Sequence, residues 1–299
     1  MQTSLSVIIN RNAGNHAEDF SQTQQQLVHW FRESGREIDL HPINAADLKD
    51  VLEQVISQKP TTVVVGGGDG TLHTTANALA RTDISLGILP LGTFNHFAKD
   101  LELPLDLEEA IHTVSTGTSK AVDLGEVNGH LFLNNASIGM YPLAVTKRDL
   151  YQKLLGLPKL PAMGYAFWRV LWRFPLRTCR IQLQRQSTRV KTPFLFIGNN
   201  RYEKSSLAQV QRRSLTEGHL HVLYTIPIGP FTLVKMIVQI LFSRFEGTSQ
   251  LENLWTNTLI IESHKATIKV GLDGEVMQLT PPLHFRSRPG ALKVIVPSE

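Results

Sequence analysis

A glycine-rich run with one aspartate, Gly66-Gly67-Gly68-Asp69-Gly70-Thr71, is the stretch of this sequence best suited to chemistry. Glycine has no Cβ and tolerates positive φ, so such a run lets the backbone come close to a ligand. The Asp69 carboxylate in the same turn could hold Mg²⁺ beside the phosphates of a nucleotide. The alternative is a plain strand–helix connection without a ligand, although four glycines in the five positions 66–70 exceed what a turn needs.

The residues on either side of this run predict the elements that position it. Val63–Val65 is a β-branched apolar run, which favours a buried strand, and Leu72, Ala76 and Leu79 follow at helical spacing. The start of a helix offers unpaired N–H groups and a positive dipole end, and both suit phosphate. No Gly-Lys-Ser/Thr follows, so the run is not a Walker A loop, and its contiguous glycines do not fit the dinucleotide fingerprint.

The first half of the chain alternates predicted strands and amphipathic helices with short connections. Strands are predicted near residues 5–9, 38–40, 63–65 and 84–89. Such alternation is typical of a doubly wound α/β domain with a parallel sheet, which we place at residues 1–120. The loops at Asn10, Gly66 and Gly92 all follow strands, and ligands of such sheets bind at the carboxyl ends of strands. One shared nucleotide site is therefore expected there.

The second half, residues 121–299, changes to many short strands, which predicts an antiparallel β-sandwich or barrel-like domain. Turn signals include Asn128-Gly129 and Asp273-Gly274, each suited to a two-residue hairpin. The final residues are compatible with a return to the first domain. The predicted strands are residues 122–127, 131–136, 180–183, 194–198, 220–226, 258–262, 266–270, 275–279 and 292–296.

The composition is that of a globular protein, with 42% hydrophobic and 19% charged residues and a net charge of +4. The single cysteine, Cys179, excludes an internal disulfide and agrees with a reducing compartment. The first residues lack the pattern of a signal peptide, and no stretch has the length and apolarity of a membrane span. These features lead us to expect a cytoplasmic protein.

The glycine-rich run and a second block, Leu89-Pro90-Leu91-Gly92-Thr93-Phe94-Asn95 with Ala98, together resemble the diacylglycerol kinase catalytic family of lipid kinases. That group includes bacterial soluble lipid kinases and the sphingosine and ceramide kinases. The Gly-Gly-Asp-Gly motif alone is shared with NAD kinases and phosphofructokinases, and the second block separates the lipid kinases from them.

The resemblance implies an NAD-kinase-like first domain, a β-sandwich second domain and ATP-dependent phosphorylation of a lipid hydroxyl, on diacylglycerol or a related glycerolipid. ATP and Mg²⁺ are the implied cofactors, and phospholipid biosynthesis is the implied context. The implied nucleotide-binding residues are Asn10, Gly14, Gly66, Gly67, Gly68, Asp69, Gly70, Thr71, Gly92, Thr93 and Asn95.

The same resemblance implies the catalytic and metal-binding residues. Asp69 and Asp123 would organise Mg²⁺, and Glu275 would act as the general base that takes the proton of the lipid hydroxyl during in-line attack on the γ-phosphate. From the residues alone, Asp273-Gly274 explains a hairpin turn but does not require a glutamate at 275. A structural Mg²⁺ is implied at Glu217 with the carbonyls of Ser214 and His219.

The chain departs from the family pattern at several of these places. Arg11 and Ala13 stand where the family has proline and serine, and His96 stands where it has an aspartate of the metal network. A neutral imidazole offers Mg²⁺ no negative charge. Glu217 replaces an aspartate, and its extra methylene fits the tight octahedral geometry of Mg²⁺ less well. The glycine-rich stretch expected at residues 202–210 has no glycine.

Two segments carry apolar and aromatic residues beside cations, at residues 150–173 and 231–245. Such segments suit an interfacial position on anionic lipid, and the alternative is that they pack on the core of the second domain. The expected partners are a lipid substrate and, transiently, the inner face of the membrane, with no nucleic acid; a homodimer is compatible with the sequence.

Two rival functions stay open at this point. A soluble-substrate kinase such as an NAD kinase shares the Gly-Gly-Asp-Gly motif, and turnover of NAD but not of lipid would favour it. A catalytically inactive lipid- or nucleotide-binding module is suggested by His96, Glu217 and the altered 202–210 stretch. Binding of ATP without phosphate transfer to any lipid would favour that module.

Overall fold

The computed structural model describes residues 5–13, 20–156, 158–173, 177–183, 186–204, 210–212, 214–225, 229, 231–232 and 251–298. The chain forms two compact units. The first unit contains residues 1–124 and 289–299, and the second contains residues 125–288.

The first unit is built on a parallel sheet. Its strands lie in the order β2-β1-β3-β4-β18, and each of these neighbouring pairs is parallel. The last of them is the C-terminal part of a long strand that begins in the second unit. The elements are β1 (Leu5–Asn10), α1 (Phe20–Glu33), β2 (Ile38–Ile43), α2 (Leu48–Ser57), β3 (Thr62–Gly67), α3 (Asp69–Leu79), β4 (Ser85–Pro90), α4 (His96–Asp100), α5 (Leu107–Thr116), β5 (Thr118–Val127) and β18 (Leu283–Val296).

Helices cover both faces of this sheet. On one face, Val7 and Val64 pack in one core with Leu27 and Phe31 of α1 and Ile111 of α5. Side chains of a strand alternate between faces, so the buried Ile8, Val63 and Val65 point to the opposite face. A mixed α/β unit with a parallel, doubly wound sheet is therefore present, as the alternating pattern predicts.

Two larger antiparallel sheets form the second unit together with a short two-stranded sheet, β11–β12. One is six-stranded, in the order β14-β13-β10-β7-β16-β17, and the other contains β18-β15-β8-β9 with β5 and β6. The elements are β6 (His130–Phe132), β7 (Asn135–Gly139), α6 (Met140–Leu155), α7 (Lys159–Arg173), β8 (Arg177–Leu183), β9 (Gln186–Thr192), β10 (Phe194–Asn199), β11 (Tyr202–Lys204), β12 (Val210–Arg212), β13 (Leu220–Thr225), β14 (Leu251–Thr256), β15 (Thr258–Glu262), β16 (Ile268–Leu272) and β17 (Glu275–Leu279).

Side chains from both sheets share one hydrophobic core. Ile197 and Val222 from the six-stranded sheet pack in the same cluster as Ile181, Leu259 and Phe285 from the other sheet. This two-layer arrangement is what the many short alternating strands predict, because one face of each sheet must be buried.

Several strand predictions are wrong in detail. The single strand predicted at residues 131–136 is two strands, β6 and β7, separated by Leu133 and Asn134. The predicted strand 266–270 lies at Ile268–Leu272, and the strand predicted at 292–296 is the end of β18, which begins at Leu283. Strands β9 and β14 were not expected; both lie at sheet edges and carry many polar residues, which weakens the alternating signal.

His221 on β13 is a buried histidine whose environment favours the neutral ring. Nδ1 accepts the N–H of Tyr202 at 3.1 Å, so Nε2 carries the proton and donates to Asn253 Oδ1 at 2.6 Å. Burial lowers the pKa of His221, the hydrogen bond with Asn253 opposes this shift, and the charge of Arg201 adds to it. Protonation of Nδ1 would remove the acceptor for the Tyr202 N–H.

This histidine predicts a loss of stability in mild acid. The unfolded chain binds a proton near pH 6.5 and the folded chain only at lower pH, so stability should fall as pH drops below about 6.5. The expected loss is on the order of the 1 kcal/mol that one neutral hydrogen bond contributes. Urea unfolding above and below that pH measures it. The unfolding free energy of His221→Gln should depend less on pH, whereas that of the exposed-site control His264→Gln should depend on pH as in the unmodified chain. Equal pH dependence of the unmodified chain and both variants would contradict the assignment of this effect to His221.

No helix in the described part of the chain is long and apolar enough to cross a membrane. Of the two segments that could lie at an interface, residues 150–173 include the end of α6, from residue 150, and all of α7. The other, residues 231–245, lies outside the described residues except for its first two positions.

Candidate active site

Three loops of the first unit emerge side by side from its parallel sheet. Strands β1, β3 and β4 are neighbours, with Ile9 opposite Gly66 and Gly67 opposite Pro90. Parallel strands place their carboxyl ends at the same edge, so the loops after Asn10, Gly67 and Pro90 lie together, where ligands of such sheets bind. The sequence predicts this convergence, and the register shows it.

Two of these loops, Gly68–Thr71 and Leu91–Asn95, touch through their glycines, and we call the pair the glycine cradle. A Cβ added to Gly92 would lie 2.5 Å from Cα of Gly68, and one added to Gly67 would lie 2.7 Å from the Thr71 side chain. A Cβ on Gly66 would meet Leu91 at 2.9 Å. Gly92 is therefore needed for the two loops to approach one another, because the nearest atom that its Cβ would meet belongs to the backbone, whereas Gly66 and Gly67 face side chains.

Helix α3 starts at the glycine cradle. Its N-cap is Gly68, which has no side chain to cap the first turn, and its 11 residues begin at Asp69. The N–H groups of that turn and the positive end of the helix dipole suit an anionic group. Backbone donors of this kind are what a phosphate group binds, so the predicted nucleotide contact at this turn stays a prediction.

Asn95 holds the second loop of the cradle from within. Its backbone is left-handed, with φ 51°, and its Nδ2 donates to the carbonyls of Pro90 at 3.0 Å and Gly92 at 2.9 Å. The residue is 7% exposed, and its buried Oδ1 has no hydrogen-bond partner. In the structure Asn95 braces its own loop from within, and its predicted contact with the nucleotide stays a prediction. The neighbouring Thr93 is exposed.

Asp69 joins the two loops of the cradle. Its Oδ1 accepts the backbone N–H of His96 at 3.0 Å. The ring of His96 stacks on the exposed Phe94, with ring centroids 5.6 Å apart. The N–H that donates to Asp69 belongs to the backbone of residue 96 and is present whatever the side chain is. This explains how the loop accommodates a histidine.

Asn10 connects the first loop to α3. Its Nδ2 donates to Thr71 Oγ1 at 3.2 Å, and its Oδ1 accepts the N–H of Asn12 at 3.0 Å. Asn10 and Thr71, both predicted as nucleotide contacts, thus lie together at the edge of the cradle. Gly70 is exposed on the first turn of α3, and Gly14 lies outside the described residues.

Asp123 lies on β5 near the end of the first unit. It is 2% exposed, and its Oδ1 accepts the N–H of Gly290 at 2.9 Å. This contact ties β5 to the C-terminal strand. The role predicted for Asp123, organisation of Mg²⁺ with Asp69, stays a prediction.

Among the described residues there is no group of three or more His, Cys, Asp or Glu that could hold a metal by itself. Mg²⁺ is commonly bound by one or two carboxylates together with substrate phosphates, so binding of such an ion by Asp69 and Asp123 stays a prediction. At the second predicted site, the His219 carbonyl already accepts the N–H of Asn200, and the His219 ring donates to the Glu217 carbonyl at 2.6 Å. Glu217 is the one carboxylate of that predicted set, and Ser214 Oγ interacts with Thr216.

In the second unit, β16 and β17 form the Glu275 hairpin, whose two-residue turn is Asp273-Gly274. Both turn residues have positive φ, 47° and 92°, as the type I′ turn requires, and Leu272 pairs with Glu275. Glu275 follows the turn directly and is exposed. The structure therefore presents this carboxylate to solvent on a short, well-defined turn.

The Asp273 side chain fixes the position of the Glu275 hairpin. Its two oxygens accept the N–H groups of Leu133, Asn134 and Asn135 at 2.7, 2.8 and 3.0 Å. These contacts also explain why β6 and β7 are separate strands, since the backbone between them turns to the carboxylate.

The same segment is also held by Arg212, Tyr202 and Asn199. Arg212, 6% exposed, donates to the Leu133 carbonyl at 2.6 Å and to Asn134 Oδ1 at 2.9 Å. Tyr202 Oη donates to the Asn134 carbonyl, and Asn199 Nδ2 to that of Leu133, both at 2.9 Å. Arg212 lies 79 and 78 positions from Leu133 and Asn134 in the sequence, so only the fold identifies this network.

Asp273→Asn should weaken this attachment. An amide cannot accept at both ends, so at least one N–H loses its acceptor and meets an NH₂ group, at a cost of about 1–3 kcal/mol in stability. Urea unfolding measures this cost. The control is Asp106→Asn at the N-cap of α5, where a single oxygen accepts both N–H groups and asparagine caps equally well. Equal stability of the two variants would argue against the role of Asp273.

Comparison with known proteins places the chain among kinases. Residues 4–127 match the model of the diacylglycerol kinase catalytic domain. A Pseudomonas aeruginosa protein named "probable lipid kinase YegS-like" is 32% identical over 302 residues, covering 98% of this chain and 94% of the relative. The Bacillus subtilis diacylglycerol kinase is 33% identical over 137 residues, covering 44% of this chain and 45% of the relative.

The fold agrees with this relationship. The crystal structure of a diacylglycerol kinase from Bacillus anthracis strain Sterne superposes with a TM-score of 0.71 at 21% identity, over 98% of this chain and 96% of the other. Because a relative over 30% identical is matched along nearly its whole length, this chain belongs to the diacylglycerol kinase catalytic-domain family.

Proposed function

We propose that this protein is an ATP-dependent lipid kinase that transfers the γ-phosphate to a hydroxyl group of diacylglycerol or a related lipid. The observation that carries the proposal is the glycine cradle at the N-terminus of α3, where the two loops approach so closely that a Cβ on Gly92 would lie 2.5 Å from Cα of Gly68. Such a backbone site binds phosphate through N–H groups and a helix dipole.

In this proposal, residues of the first unit bind and orient the nucleotide. The first turn of α3 donates N–H groups to its phosphates, Asn95 keeps the second loop in its bound shape, and Asp69 braces both loops through the N–H of His96. Asp69 and Asp123 would hold the Mg²⁺ ion that accompanies ATP. When bound, that ion supplies positive charge that neutralises the phosphates during transfer.

Glu275 is proposed as the general base. Its exposed carboxylate would accept the proton of the lipid hydroxyl as the hydroxyl oxygen attacks the γ-phosphorus. The clamp of Asp273 on residues 133–135 limits the motion of the turn, and a base must be held within hydrogen-bond reach of the proton it takes. The chain would then act at the inner face of the membrane, where its lipid substrate lies.

One experiment tests the activity. Purified protein is incubated with γ-labelled ATP, Mg²⁺ and a total lipid extract, and the lipids are separated by chromatography. A labelled lipid that comigrates with a phosphatidic acid or a related phospholipid is expected. Label in NADP on addition of NAD, with none in lipid, would instead favour a soluble-substrate kinase, and ATP binding without transfer to any acceptor would favour an inactive binding module.

A further inference from the structure

Helices α6 and α7 of the second unit form an antiparallel hairpin, which we call the α6–α7 hairpin. At its base, Met140 and Ala144 of α6 pack with Val170 and Leu171 of α7. Nearer the connection, Tyr151 and Tyr165 make an edge-to-face contact with ring centroids 4.9 Å apart. The beginning of one helix thus lies beside the end of the other, and the connection near Gly156 forms the tip.

One face of α7 is buried and the other is aromatic and exposed. Ala162, Ala166 and Val170 are at most 2% exposed, at the i, i+4, i+8 spacing of a helix face packed on protein. On the opposite face, Tyr165 and Trp168 are 43% and 55% exposed. The sequence left open whether this segment packs on protein or meets lipid; α7 buries one face in protein and exposes aromatic side chains away from it.

The tip continues this exposed apolar surface. Leu150, Leu154 and Leu155 at the end of α6 are 48%, 69% and 57% exposed. Of the ten large hydrophobic side chains recorded as exposed in the described part of the chain, six belong to this hairpin. Scattered exposed leucines are ordinary, but a cluster of this kind marks a surface that meets a partner.

Charge identifies the kind of partner. Residues 140–173 contain six basic residues and one acidic residue, a net charge of +5, while the remaining chain has 24 basic and 25 acidic residues, a net charge of −1. Lys153 is exposed next to the leucines of the tip, and Arg169 is exposed next to Trp168 on α7. Leucine and tryptophan flanked by lysine and arginine favour the interface of an anionic bilayer, whose headgroups pair with the cations while its acyl region takes the apolar side chains.

Helix α6 also connects the tip to the Glu275 hairpin within the same unit. Tyr141, at the start of α6, has its Oη 3.9 Å from the position of a Cβ on Gly274, and Lys269 Nζ of β16 donates to Thr146 Oγ1 at 3.3 Å. A helix of 16 residues is about 24 Å long. One rigid element therefore runs from the turn that bears the proposed base to the exposed leucines.

We propose that the α6–α7 hairpin is the membrane-docking element of this protein, with Leu154 and Leu155 inserted into an anionic bilayer and Lys153 and Arg169 on its headgroups. This inference rests on the proposed function, since it assigns the surface from which the lipid substrate is drawn. Through α6, docking would set the position of the Glu275 hairpin relative to the bilayer.

Vesicle sedimentation tests the surface without any need for catalysis. The full chain should bind phosphatidylcholine vesicles that contain phosphatidylglycerol and bind pure phosphatidylcholine vesicles much more weakly. The double variant Leu154→Glu/Leu155→Glu should bind about 100-fold more weakly, since each buried leucine contributes about tenfold. The matched control Leu105→Glu, at an exposed leucine (49%) of the first unit, should bind like the unmodified chain. Equal binding by the tip variant, or an equal loss in the control, would overturn the proposal.

The charge component is tested in the same assay. Lys153→Glu and Arg169→Glu should each weaken binding to the anionic vesicles by about fivefold or more, and added salt should reduce the difference. Lys265→Glu, an exposed lysine elsewhere in the second unit, is the control. Equal binding to neutral and anionic vesicles would contradict the electrostatic part.

Insertion is tested with a variant that leaves the charge and apolar character unchanged. Leu155→Trp should be quenched by vesicles of brominated phospholipid, whereas Leu105→Trp should not. Absence of additional quenching in Leu155→Trp would overturn insertion.

If the tip instead mediates self-association, Leu154→Glu/Leu155→Glu would convert a dimer to a monomer in analytical ultracentrifugation while vesicle binding stayed unchanged. This result also would overturn the proposal.

Failure of docking and failure of the proposed function are distinguishable. Phosphorylation of dispersed short-chain diacylglycerol reports the chemistry without a bilayer. Normal phosphorylation of this dispersed substrate, together with vesicle binding that does not depend on the tip, would refute the docking proposal and leave the proposed function standing. A chain that binds vesicles through the tip but phosphorylates no lipid refutes the kinase and leaves the docking surface standing.

Discussion

Replacing Glu275 by glutamine is expected to lower turnover by about 10²–10⁴-fold, which is the usual contribution of a general base. Glutamine has the same size but cannot take the proton of the attacking hydroxyl at neutral pH. The fold should be retained because the turn is made by Asp273 and Gly274, and Glu275 itself is exposed. The measurement is initial-rate kinetics with dispersed diacylglycerol, with ATP affinity determined separately.

Two companion measurements make the Glu275→Gln result specific. The control Glu252→Gln removes another exposed glutamate, on edge strand β14, and should leave turnover unchanged. Loss of a base should also remove the acidic limb of the pH–rate profile, which loss of positioning alone would not do. Near wild-type turnover with an intact pH profile would remove Glu275 from the mechanism.

Replacing Gly92 by alanine is expected to weaken ATP binding by about 10- to 100-fold, since an extra carbon forced into a closely packed site costs about 1–3 kcal/mol. The new Cβ would lie 2.5 Å from Cα of Gly68 and 2.7 Å from Asn95 Oδ1. The nearer atom belongs to the backbone, so no change of rotamer relieves the contact and the two loops of the glycine cradle must separate. Gly92 does not have positive φ, so the effect is one of space rather than of backbone strain.

Calorimetric titration with a non-hydrolysable ATP analogue measures this effect. The control Gly164→Ala is a glycine on the exposed face of α7 with nothing within 4 Å of the added Cβ, and it should bind the analogue normally. Overpacking at Gly92 should also cost about 1–3 kcal/mol of stability, which urea unfolding detects. Unchanged affinity in Gly92→Ala would show that the close approach of the two loops is not needed for the nucleotide.

Local features of both units are predictable from the sequence because they depend on a few adjacent residues. The β-branched run at Val63–Val65 followed by glycines predicts a strand and turn, and β3 and α3 are present there. Asp273-Gly274 predicts a two-residue turn because both positions need positive φ. The Asp106 cap of α5 is likewise evident from its spacing to Glu109.

Weak local patterns explain the errors. Strands β9 and β14 at sheet edges carry polar side chains on positions that need no burial, so their alternation is faint. The predicted strand 131–136 has a continuous apolar beginning, yet it breaks at Leu133 because its N–H groups bind a carboxylate 140 positions away in sequence. No window of neighbouring residues contains that information.

The sequence by itself determined the alternation of strands and helices in the first unit, the glycine run, the Asp273-Gly274 turn and the basic, aromatic character of residues 150–173, since periodicity and φ preference act over a few residues. Only the tertiary structure decided that Gly92 meets Gly68, that Asn95 braces its own loop, that Arg212 and Asp273 hold one segment from two sides, and which face of α7 is exposed. These contacts join residues that are distant in the chain, and their partners are chosen by how the elements pack.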